Sequence, residues 1–185
     1  MASLFGHSVA GLAIGKASSA QRQPLTFWLL SVYCTVLPDG DVLSFFFGIQ
    51  YGDMFGHRGF FHSIIFTGIV GLVVTLLFFK QTLKFSALWW RTVGYFSLVT
   101  FSHPFLDAFT NGGLGVAFFS PFDTTRYFFP WRPLEVSPIG GLTHFFGKEG
   151  WVVIQSEFIW IWLPSVALIL LSYALRHIKR MEKQQ

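Results

Sequence analysis

The chain has 185 residues, 52% hydrophobic and 12% charged, with a mean hydropathy of +0.54 and a formal net charge of +4. Charge at about half the frequency of an average soluble domain excludes a soluble enzyme of this size. It points to an all-α integral membrane protein, one compact bundle over 1–185. A pI near 9.4 does not indicate nucleic acid, because the basic residues fall between and after apolar segments, where membrane topology accounts for them.

About five helices are expected, over roughly 3–15, 25–37, 62–79, 86–108 and 155–175. The opening "MASLFGHSVAGLAIG" lacks the positive region of a secretory signal and reads as a retained first helix. The first two helices are short: about 13 residues rise about 20 Å, against a hydrocarbon core of about 30 Å. Pro38 is expected to close the second. The following "VLSFFFGIQYG", too short to span, reads as interfacial or re-entrant over 42–51. The connection 109–154, rich in Gly, Pro and aromatic residues, is expected to pack over the outer end of the bundle, and 176–185 reads as a basic tail. The single cysteine, Cys34, allows no intramolecular disulfide.

Lys16, Arg22, Lys80, Lys84, Arg91, Arg176, Lys179, Arg180 and Lys183 fall on one side if the helices alternate. Arg58, Arg126, Arg132 and Lys148 fall on the other. The positive-inside rule then puts the carboxyl terminus in the cytoplasm and the amino terminus outside. With topology set from Lys and Arg alone, every acid except Glu182 and every histidine except His177 sorts to the outer side or its boundary.

Four segments bring ligand-type side chains to that edge: His7 from the first helix, Asp39 and Asp41 from "LPDGD", His57 and His62 from "HRGFFHS", and His103 and Asp107 from "SHPFLDAFT". His103 and Asp107 are spaced i, i+4 and share one helix face. His57 and His62 cannot share a face of a regular helix, so Gly59 is expected to leave His57 in the preceding turn. Imidazole with carboxylate suits Zn2+, with Mn2+ or Fe2+ as alternatives, bound as one or two ions. The expected ligands are His7, Asp41, His62, His103 and Asp107. Asp39 and His57 stand next, as base, proton shuttle or further ligand. Arg58 and Arg126 are candidates for neutralising an anionic substrate, with interfacial anchoring as the alternative. The plain readings are an ordinary turn at "PDGD" and a helix-tying hydrogen bond between His103 and Asp107. Glu135 and His144 read as solvated loop residues, Thr110 and Asn111 as helix-end caps, and the tryptophans as an interfacial belt.

In order and spacing, "LPDGD", "HRGFFHS" and "SHPFLDAFTNGG", followed by "SPFDTTRYFFP", resemble the YdjM-like, LexA-regulated family of bacterial membrane-bound metal-dependent hydrolases. The resemblance runs from His7 to about Pro138. It implies an inner-membrane protein with a metal at the His and Asp positions above, and leaves the substrate open. The shallow site suggested by the short helices makes a membrane lipid or lipid-linked phosphoester the expected substrate. A metal or proton transporter and a purely structural metal are the competing readings.

Overall fold

A computed structural model describes residues 1–137 and 147–183. The described chain is helical, with α1 at Leu4–Ser18, α2 at Leu25–Val36, α3 at Ile64–Phe78, α4 at Ala87–Asp107, α5 at Lys148–Glu157 and α6 at Leu163–Glu182. Three starts are set by serine caps: the side chains of Ser3, Ser63 and Ser86 accept from the backbone N–H of Gly6, Phe66 and Trp89.

α2 ends at Val36, beside Pro38 as expected, but the chain stays helical beyond it. The chain runs on as a 3-10 helix over Leu37–Phe47, so α2 and this segment form one 23-residue apolar run. Pro38 stands at the junction, near the start of the tighter helix, where its fixed φ suits the turn. The stretch 42–51 is therefore helical to Phe47. The last helix also begins earlier than 155: residues 148–154, assigned to the outer connection, form most of α5. "KEGWVVIQSE" mixes polar with apolar residues, so an apolar-run criterion passes over it. α5 continues through a π-helical turn, Phe158–Trp162, into α6, giving a second candidate span, Lys148–Glu182.

Alternation brings the start of α1, the end of α2, the approach to α3 and the end of α4 to one end of the bundle. There His7, Asp39, His62 and Asp107 all meet His103 or one another. At the opposite end, Arg176 of α6 donates to the carbonyls of Lys16 and Ser19. Between the two ends lies an apolar core of Phe27, Leu30, Cys34, Val70, Val74, Phe96 and Val99. α3 and α4 pack closely because Gly71 has no side chain: a Cβ there would sit 2.1 Å from Ser97 Oγ. The outward faces of α3 and α6 expose Leu72, Leu76, Leu77, Leu170 and Leu171, a surface suited to lipid rather than water.

The connection after α4 folds back over the polar end. Phe129 N donates to Ala108 O, Ser137 N to Met1 O, and Leu134 is buried against Ala2 and Ile161. His144 lies outside the described residues.

Candidate metal centre

α4 supplies His103 and Asp107 one turn apart, both fully buried. His103 Nδ1 lies 2.6 Å from the carbonyl oxygen of Thr35 in α2. A carbonyl only accepts, so Nδ1 carries the proton and Nε2 keeps its lone pair. His62 closes a 3-10 turn, Phe60–His62, directly before α3. Its Nδ1 faces Asp41 Oδ2 at 3.0 Å, off the ideal hydrogen-bond direction, and its Nε2 points at His103 Nε2, 3.1 Å away. Two imidazole lone pairs at that separation repel unless something positive stands between them.

Two carboxylate oxygens face the same point. Asp39 Oδ1 lies 3.3 Å from His103 Nε2 and 3.8 Å from His62 Nε2. Asp107 Oδ2 lies 3.7 Å and 3.6 Å from the same two nitrogens. Both oxygens are buried and accept no hydrogen bond among the described residues. A tetrahedral ion with bonds of about 2.0–2.1 Å has ligand–ligand edges of about 3.3 Å. The five separations above, 3.1 to 3.8 Å, bracket that edge. Two nitrogens and two carboxylate oxygens therefore fit a divalent transition metal.

The remaining groups surround this quartet. Asp41 accepts from the backbone N–H of Arg58 at 3.0 Å and pairs with His57 Nδ1 at 2.7 Å while facing His62. Asp41, His57 and His62 form a second group with metal-ligand spacing. Arg58 is fully buried; its Nε lies 3.1 Å from Asp107 Oδ2, and its terminal nitrogens donate to Thr110 Oγ1 and Gly112 O. Asp107 Oδ1 also accepts from Ala2 N. His7 stacks on His103 with centroids 3.7 Å apart, its Nε2 is 3.5 Å from Asp107 Oδ1, and neither ring nitrogen has a hydrogen-bond partner.

The turn that delivers these side chains is tightly specified. A Cβ on Gly59 would lie 2.2 Å from Met54 O. Arg58 adopts φ 62, a left-handed conformation uncommon outside glycine, and so sends its N–H to Asp41 and its side chain to Asp107.

The seven expected His and Asp residues all stand at this end of the bundle. Asp39, expected as base, shuttle or further ligand, falls in the quartet with His62, His103 and Asp107; Asp41, expected as a ligand, falls in the second group with His57 and His62, and His7 in neither. A 3-10 helix turns about 120° per residue, and Asp39 and Asp41 approach His62 at different ring nitrogens, Nε2 and Nδ1. His57 lies in the turn before α3, as Gly59 led one to expect, and its Nε2 is buried without a partner. Arg58 and Arg126 are spent on the protein rather than left open to an anion. Arg126 donates to the carbonyls of His57, Tyr51 and Asp53 and ties that loop. Asn111 ties the outer connection, bonding Glu135 and Val136.

Sequence reading passed over three contributors. The Thr35 carbonyl is a backbone atom with no signature. Ala2 N reaches Asp107 only through the fold. Glu157, fully buried, accepts from both the backbone N–H and the hydroxyl of Ser3, an ordinary helix-cap pattern in sequence.

The YdjM inner membrane protein family model matches residues 1–182. Inner membrane protein YbcI of Escherichia coli (strain K12) is 36% identical over 169 residues, 91% of this chain and 95% of its own. No solved structure matches. With the family model covering nearly the whole chain, motifs and buried quartet included, the protein belongs to the YdjM inner membrane protein family.

Proposed function

We propose that this protein is a metal-dependent hydrolase of the cytoplasmic membrane, acting near its outer face on a lipid or lipid-linked phosphoester. The observation that carries the proposal is the approach of His62 Nε2 and His103 Nε2 to 3.1 Å, beside two buried carboxylate oxygens without hydrogen bonds. Asp39, His62, His103 and Asp107 hold the ion, Zn2+ before Mn2+ or Fe2+. When bound, the ion supplies Lewis acidity toward a phosphoryl or acyl oxygen and lowers the pKa of water.

The protein's own groups supply orientation and proton handling. Asp41 Oδ2 stands 3.0 Å from His62 Nδ1, and the Thr35 carbonyl holds the imidazole of His103 in the tautomer that presents Nε2. Asp41 does the same for His57, leaving its Nε2 lone pair to take a proton. Arg58 Nε faces Asp107 Oδ2 and Ala2 N donates to its Oδ1, which together fix the orientation of that carboxylate. Asp39 is the quartet member with some exposure, 12% of its side chain, so substrate approaches from its side. The bundle spans the membrane with its amino terminus outside and its basic tail in the cytoplasm.

A purely structural metal has one observation in its favour: four donors at tetrahedral spacing fill the coordination of zinc. Cobalt-substituted protein separates the readings. An open position shifts the visible spectrum when phosphate is added, whereas a closed site leaves it unchanged. Transport is disfavoured by the apolar core, including Val70, Val74, Phe96 and Val99, between the quartet and the basic end. The direct test is elemental analysis of purified protein with release of headgroup phosphate from lipid vesicles. Absence of a stoichiometric transition metal overturns the proposal.

A further inference from the structure

Beside Asp41 lies a cavity of about 500 Å3. One wall is the 3-10 helix. Three residues per turn stack side chains in rows, and two of its rows line the space: Leu37, Gly40 and Leu43 in one, Asp41, Ser44 and Phe47 in the other. Phe55, Phe61 and Phe66 form part of the opposite wall. The wall is apolar apart from Asp41 and Ser44, one turn apart. Ser44 is 9% exposed, and its hydroxyl has no hydrogen-bond partner among the described residues. An unpartnered buried hydroxyl is destabilising, and a ligand oxygen would satisfy it. Phe46 and Phe47, 87% and 83% exposed, stand at the far end of the 3-10 helix, where lipid chains have access. A second apolar cavity, of about 300 Å3 between α1, α4 and α6, includes none of the quartet, Asp41 or His57 in its wall.

We propose that the cavity beside Asp41 holds one acyl chain of the lipid on which the centre acts, with the ester oxygen of that chain hydrogen-bonded to Ser44. This rests on the hydrolase reading above and narrows its substrate to an O-acyl phospholipid. The long dimension takes the alkyl chain, Ser44 takes the only polar group that enters, and the headgroup remains on the side of Asp41 and the histidines.

Gly40 provides the means of testing it. A Cβ there meets nothing within 4 Å, and the backbone is not in the left-handed region, so a larger side chain grows into the cavity. The probe is phosphatidylglycerol with a diazirine near the end of its acyl chain, in vesicles containing the full protein, with labelled residues mapped by mass spectrometry. Labelling of residues 55–66 is expected to exceed that of Leu72 and Leu76, which face outward on α3. Gly40→Phe should reduce the wall label at least fivefold and leave both the Leu72 and Leu76 label and the bound metal unchanged. With unaltered protein, dodecyl phosphate should compete for the wall label and butyl phosphate should not, a result independent of how the variant folds. Wall labelling no stronger than that of the outer face, or competition indifferent to chain length, overturns the proposal. Failure of the hydrolase reading shows separately, as a labelled wall with no headgroup released.

Discussion

Asp39 and Asp41 stand two residues apart in one 3-10 helix, in opposite surroundings. Asp41 receives the His57 imidazole and the Arg58 N–H, and faces His62. Asp39 Oδ1 is buried against two histidine nitrogens and receives no hydrogen bond. Buried polar groups are nearly always satisfied, so a carboxylate oxygen left without a donor beside two lone pairs marks the place of a cation. A carboxylate surrounded by donors marks a support. The difference separates a carboxylate oxygen that could hold an ion from one engaged with protein donors.

The largest effect should come from the quartet. His103→Ala removes a nitrogen and leaves Thr35 O without its donor, so elemental analysis should find bound metal at background and vesicle assays no product. Retention of a stoichiometric metal by that variant would remove His103 from the ion. Arg58→Gln comes next. It removes the guanidinium 3.1 Å from Asp107 Oδ2, and in metal-free protein breaking that buried pair should cost about 3–5 kcal/mol, readable as a lowered unfolding midpoint in detergent; an unchanged midpoint would mean Arg58 does not hold Asp107. Asp41→Asn should keep the fold and the ion but weaken metal affinity by about 10–100-fold, the usual consequence of losing an orienting partner. If chelator competition shows Asp41→Asn losing more than Asp39→Asn, the assigned roles are reversed. The smallest effect belongs to the opposite end: Ser86→Ala removes the cap of α4 and costs about 1 kcal/mol, with metal content unaltered.

Much of this arrangement was legible in sequence. Periodic apolar runs marked α1, α2, α3 and α4 to within a few residues, because lipid-facing and core-facing positions are both apolar and their ends are not. Sorting the acids and histidines against the Lys and Arg residues placed seven ligand-type side chains on one edge, where the structure gathers them. Two features escaped for local reasons. A 3-10 continuation past Pro38 has no distinctive residue pattern, since proline is compatible with both stopping a helix and starting a tighter one. α5 is too polar to register as an apolar run. The fate of Arg58 escaped for a tertiary reason: whether a guanidinium meets a substrate or a buried Asp107 depends on a left-handed turn.

Residue chemistry and its spacing along the chain determined the class of protein, the edge at which its polar groups gather and the kind of ion they suit, because hydrophobicity and ligand type belong to each side chain alone. Tertiary structure decided which oxygen stands free for a cation and which faces a donor. That choice depends on the angular step of a 3-10 helix, the tautomer set by Thr35 O and the reach of Arg58, each a relation between segments far apart in the chain.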